Sequence, residues 1–123
     1  MIKKGSTRTV LVLNKIVIKF PTLSNYKLFI IGVLGNLIEK QLYNNNPRED
    51  LGEVLYGSKT GLFLIMRKYK ILSNDISWSE LQDYIHNKYQ YDNLKEVMIS
   101  DIKPSNWGMN GNNLVLVDYG KQI

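Results

Sequence analysis

Asp101-Ile102-Lys103-Pro104-Ser105-Asn106, followed by Trp107-Gly108 and then by Leu114-Val115-Leu116-Val117-Asp118-Tyr119-Gly120, is the stretch on which the reading of this chain turns. It sets two carboxylates and a carboxamide in turn-forming surroundings. Pro104 stops a helix from running through. Asn110-Gly111-Asn112-Asn113 is a turn signal, and Leu114 to Val117 is a short β-prone run that delivers Asp118 at its end. A hairpin built this way draws Asp101, Asn106 and Asp118 toward one another. Two carboxylates and an amide oxygen are hard ligands of the kind that suits Mg²⁺ also held by phosphates.

The spacing resembles the protein-kinase signature, an Asp-x-x-x-x-Asn catalytic loop followed by a strand that ends in Asp-Phe-Gly. Here the two parts read D-I-K-P-S-N and D-Y-G. The resemblance implies that Asp101 orients or deprotonates a hydroxyl acceptor, that Lys103 offsets charge on the transferred group, and that Asn106 and Asp118 hold Mg²⁺. Ile99-Ser100 stands where the family usually has His-Arg. Only three residues follow Gly120, so the family's activation segment and large helical subdomain have no counterpart in this sequence. The likeness is to a minimal, truncated member of the kinase-like superfamily, such as a phage would encode.

Upstream, Thr9 to Leu13 and Ile16 to Phe20 are β-prone runs joined by an Asn14-Lys15 turn and closed by Pro21. Val17-Ile18-Lys19-Phe20 resembles the family's Val-Ala-Ile-Lys strand, which implies that Lys19 contacts nucleotide phosphates. Gly5-Ser6-Thr7-Arg8 resembles a reduced glycine-rich loop with one glycine. Its backbone N–H groups and the Ser6 and Thr7 hydroxyls suit phosphate oxygens. Asn25 to about Tyr43 reads as a helix, because Leu28, Ile31, Leu34 or Leu37, Ile38 and Leu42 recur at helical spacing and Ser24 or Asn25 suits the cap. Gly32 and Gly35 lower its intrinsic stability by about 1 kcal/mol each, so packing has to hold it. Glu39 is the sole acid on this helix, and the resemblance implies that it pairs with Lys19.

Between these two regions, Glu53 to Tyr56 and Leu62 to Met66 read as strands, making an antiparallel sheet of four or five. Met66 to Tyr69 falls where the resembled family has the hinge that meets adenine. Ser77-Trp78-Ser79-Glu80 is a capping box that starts a helix running to about Tyr89, with Trp78, Leu81 and Ile85 on its apolar face. His86 reads as surface or packing. Asp92 to Ile99 reads as a connector.

Composition bounds the rest. Net charge is +5, and residues 1 to 38 carry Lys3, Lys4, Arg8, Lys15, Lys19 and Lys27 without any acid. A basic N-terminal half beside an acid-bearing loop suits a polyphosphate, and under a third reading it suits nucleic acid. The sequence has no cysteine, which excludes disulfides and thiolate metal sites and fits a reducing, cytoplasmic setting. No apolar run is long enough to span a bilayer, and the Met1-Ile2-Lys3-Lys4 start is not followed by a signal-peptide pattern. The expectation is one α+β domain over 1–123, with about 1–69 resembling a kinase N-lobe and about 70–123 a reduced C-lobe. Its ligands are ATP and Mg²⁺, and its reaction is phosphoryl transfer to a hydroxyl. The alternative is a kinase-shaped protein without turnover that binds and inhibits a partner protein.

Overall fold

The structure, a computed structural model, describes residues 1–73, 76–99 and 102–120. Two antiparallel sheets and three α-helices make an α+β fold. The N-terminal sheet contains β1 (Ile2–Lys4), β2 (Arg8–Val12), β3 (Ile16–Pro21), β4 (Val54–Gly57) and β5 (Leu64–Arg67), in the order β1-β2-β3-β5-β4. Helix α1 (Tyr26–Asn45) lies between β3 and β4 in sequence and packs on both. The second sheet is β6 (Lys70–Ile71), β7 (Trp107–Asn110) and β8 (Asn113–Leu116). Helices α2 (Trp78–Tyr89) and α3 (Lys95–Ile99) lie between β6 and β7 in the chain.

Register puts Lys19 where it matters. Val10 is opposite Lys19 in the β2–β3 pair, and Lys19 is opposite Leu64 in the β3–β5 pair. Residues directly opposite share a face, and so do residues two apart along a strand. Arg8, Val10, Lys19 and Pro21 therefore belong to one face, with Phe20 on the other.

Asn25 caps α1, its side-chain oxygen accepting from Lys27 N at 2.9 Å and Leu28 N at 3.2 Å. The apolar stripe expected to face the core does not do so throughout: Ile31 and Leu34 are exposed. The buried positions are Gly32, Gly35, Asn36 and Glu39, which recur at the same helical spacing. Glycine is the reason. A Cβ built on Gly32 would lie 2.8 Å from Pro21 Cα, and one built on Gly120 would lie 2.5 Å from the Gly35 carbonyl oxygen. Bare backbone lets α1 approach β3 and the C-terminal segment closely, and that approach sets Asn36 and Glu39 between them.

Other departures are local. Strands β1 and β6 are additions to the sequence reading, and α3 is helical where a connector was expected. In α2 the buried face is Leu81, Ile85 and Tyr89, while Trp78 is half exposed. Ser77 caps α2, accepting from Glu80 N at 3.4 Å. The apolar core gathers Leu64 and Met66 of β5, Ile85 and Tyr89 of α2, Met98 of α3 and Trp107 of β7. Among the described residues, no helix is long and apolar enough to cross a membrane.

Candidate functional site

Four charged side chains meet where β2, β3, α1 and the segment after β8 converge. The Lys19 ammonium donates to Glu39 Oε1 at 2.7 Å and to the Val117 carbonyl oxygen at 2.9 Å. Arg8 donates from Nη1 to Glu39 Oε1 at 3.0 Å and to Asn36 Oδ1 at 3.1 Å. Its Nη2 donates to Glu39 Oε2 at 3.0 Å and to Asp118 Oδ1 at 2.6 Å. The backbone N–H groups of Tyr119 and Gly120 complete the shell of Glu39 Oε2 at 2.8 and 2.7 Å. Asn36 locks the frame by donating to the carbonyls of Lys19 (3.1 Å) and Gly61 (2.9 Å). Tyr119 anchors the far end, its hydroxyl donating to Gly52 O at 2.7 Å.

Glu39 is fully buried and accepts five hydrogen bonds, from Arg8, Lys19 and two amides. Burial alone would raise its pKa, but the Arg8 and Lys19 charges reverse that and hold the carboxyl well below the usual range. Burial works against Lys19 too, and Arg8 adds to it, so its ammonium is held below its ordinary pKa although Glu39 pulls the other way. For Arg8 the attraction of Glu39 and Asp118 outweighs burial and raises the pKa. The cluster therefore holds two cations and two carboxylates, and its open end is Asp118, whose side chain is 38% exposed.

The remaining predicted site residues fall in several places. Asn106 is buried at the end of a single 3₁₀ turn, Pro104–Asn106. Its carbonyl accepts from Val117 N at 2.9 Å, which ties the loop to the strand end that carries Asp118. Lys103 precedes that turn, and its backbone carbonyl accepts from Asn106 N at 3.0 Å. Asp101 lies outside the described residues. Gly5 and Ser6 form a tight turn in which Gly5 N donates to Arg8 O at 2.8 Å. Gly5 lines a cavity of about 620 Å³ together with Lys4, Phe20, Leu23, Phe29 and Leu62. Lys19, Glu39 and Asp118 are not among the residues lining that cavity, and Phe20 belongs to the sheet face opposite Lys19. A cavity with Lys4 as its titratable lining residue is weaker evidence of chemistry than the convergence of Arg8, Lys19, Glu39 and Asp118. The structure brings Lys19, Glu39 and Asp118 into one cluster, ties Asn106 to it through the backbone bond to Val117, and gives Gly5 a different setting.

Arg8 and Asn36 are the cluster residues that the sequence reading did not single out. The signal for Arg8 was strand parity, since it lies two residues from Val10, the partner of Lys19. The signal for Asn36 was its place on the Gly32–Gly35–Glu39 face of α1.

The kinase resemblance implies a magnesium ion on Asn106 and Asp118. The donor set does not fit that ion in this arrangement. Asp118 Oδ1 already accepts from a guanidinium that Glu39 and Asn36 anchor from behind. A metal cation on the same carboxylate would stand close to that guanidinium. Repulsion near a protein surface amounts to about 4 kcal/mol for each pair of unit charges at about 4 Å.

No protein-family model, curated protein or solved structure matches this chain. Function is therefore read from its own residues.

Proposed function

We propose that this chain is a kinase-like protein that binds the polyphosphate of ATP at the open end of the Arg8–Lys19–Glu39–Asp118 cluster and passes the terminal phosphoryl group to a hydroxyl acceptor. One observation carries the reading: the Lys19 ammonium is held at once by Glu39 Oε1 at 2.7 Å and by the carbonyl of Val117 at 2.9 Å, next to Asp118. An ammonium has three protons to donate, and these two contacts fix its direction while leaving capacity for a phosphate oxygen. Phosphoryl transfer asks the protein mainly for position and charge. In the step, the bond from the γ-phosphorus to the bridging oxygen of ADP breaks and a bond to the acceptor oxygen forms. The acceptor proton passes to a carboxylate, the role that the kinase likeness gives to Asp101. Lys103 supplies positive charge on the same loop.

A second reading, a kinase-shaped protein that binds a protein partner and modulates it without turnover, has its own support. Arg8 holds Asp118 at 2.6 Å and so occupies the carboxylate that catalysis would assign to a metal. Incubation with γ-labelled ATP, with and without cell extract, separates the two. The transfer reading expects labelled product from the wild type and its loss in Asp101→Ala. Binding of ATP without any transfer, or failure to bind ATP at all, removes the transfer reading and favours the second.

A further inference from the structure

The kinase likeness leaves Arg8 without a role, yet Arg8 is the most connected donor of the cluster. It opens β2 on the face shared with Lys19, and it is 9% exposed. Its Nη1 reaches Asn36 and Glu39, and its Nη2 reaches Glu39 and Asp118. The same guanidinium edge thus spans the fully buried carboxylate and the one at the open end. Asn36 is fixed in turn by the carbonyls of Lys19 and Gly61, so the anchor is as rigid as the sheet behind it.

Charge closes without any ion: Arg8 and Lys19 balance Glu39 and Asp118. A free Asp118 carboxylate would repel an incoming triphosphate, and a divalent cation is the usual remedy where carboxylate and phosphate meet. Here a planar, permanently charged group already sits on that carboxylate. The four Nη protons of Arg8 are spent on Asn36, Glu39 and Asp118, so its fork acts on a phosphate through its charge. We propose that the guanidinium of Arg8 is the resident cation of this site, so that the site takes the triphosphate of a nucleotide without a divalent metal. This rests on the nucleotide reading above and sharpens it, because a metal-independent site is a distinct ligand class from a Mg·ATP site.

The test measures ATP affinity of the wild-type chain by equilibrium dialysis, once with magnesium and once with EDTA. The expected result is equal affinity in both within about twofold. In Arg8→Met, affinity in EDTA falls by about tenfold, because the resident positive charge is gone, and magnesium restores part of it. Should Arg8→Met fail to fold, Arg8→Gln, which keeps hydrogen-bonding capacity and removes the charge, takes its place in EDTA with the same expected loss. Wild-type binding that is at least about tenfold tighter with magnesium than with EDTA overturns the inference and leaves the nucleotide reading in place. Absence of binding under both conditions removes the nucleotide reading and this inference with it.

Discussion

Arg8 and Arg48 each hold two carboxylates, and their surroundings separate them. Arg8 spans Glu39 and Asp118 inside the fold, with Glu39 fully buried and Lys19 pressed against it. Arg48 spans Asp50 with bonds of 2.8 Å and Asp92 with bonds of 2.7 and 2.8 Å, at a rim where each of the three side chains is about one fifth exposed. The Tyr89 hydroxyl adds a bond of 2.7 Å to Asp50. The rim cluster ties the loop before β4 to the end of α2 and the turn before α3. It is a brace whose lost partners water can replace. In the buried cluster Glu39 is shut off from water, so its charge depends on Arg8 and Lys19. A fold retains such a cluster at a desolvation cost, and burying it purely for stability is a poor use of charge. That contrast is why the Arg8 cluster, and not the Arg48 cluster, is read as functional.

The contrast can be broken by deleting one carboxylate from the buried side. Glu39→Ala leaves Arg8 and Lys19 facing one another across a buried gap, and the expected loss is about 3–5 kcal/mol in urea unfolding. A loss below about 1 kcal/mol would put the buried cluster on the footing of an exposed pair.

The next effect concerns how α1 gets close enough to place Glu39. Alanine is intrinsically the better helix former by about 1 kcal/mol. At Gly32, however, its Cβ would stand 2.8 Å from Pro21 Cα, with backbone on the other side. Gly32→Ala is therefore expected to destabilise by roughly 1–3 kcal/mol, read from the thermal or urea midpoint. A stabilised variant would show that α1 has room to spare.

Acid sharpens the comparison further. The Glu39 carboxyl is held low because Arg8 and Lys19 more than offset its burial, and Asp50 and Asp92 are held low by Arg48, for Asp50 against its own burial. In each case the folded-state pKa lies below the unfolded one. The unfolded chain therefore takes up protons first as the pH falls. Stability is fully present above about pH 4.5 and is lost below it, at up to about 1.4 kcal/mol per pH unit for each such group. Urea midpoints at pH 7, 5 and 3 are expected to be flat over the first interval and to drop over the second. A midpoint that holds to pH 3 would contradict the ion pairing.

The smallest effect is expected at the rim. Arg48→Ala should cost about 1 kcal/mol or less, the scale of exposed ion pairs. A loss as large as that of Glu39→Ala would erase the distinction between the two clusters.

Parts of this arrangement were legible in the sequence and parts were not, for physical reasons. Lys19 stood out through the likeness of Val17-Ile18-Lys19-Phe20 to the kinase lysine strand, in company with the later Asp101-to-Asn106 motif. Glu39 stood out as the lone acid of α1, and Asp118 because a β-prone run delivers it after an Asn-Gly turn. The strand ranges of the N-terminal sheet and the Asn25 cap follow local rules that the chain obeys. The inward face of α1 was hidden because hydrophobic spacing points to Ile31 and Leu34, while the close approach is made by two glycines with a carboxamide and a carboxylate between and beyond them. Arg8 was hidden because its meaning depends on pairing register, which places it beside Lys19 only once β2 is set against β3. Strands as short as β1 and β6 carry too few residues to show a period, and they exist because a neighbouring strand offers its edge.

The most direct test of the account is the heat of ATP binding, measured by titration calorimetry on the wild type and on Lys19→Met, a substitution that keeps the stem and removes the ammonium. The account predicts a measurable binding heat for the wild type and an affinity lower by about tenfold or more in Lys19→Met. Equal affinity in the two proteins, or no heat from the wild type at millimolar ATP, would contradict it.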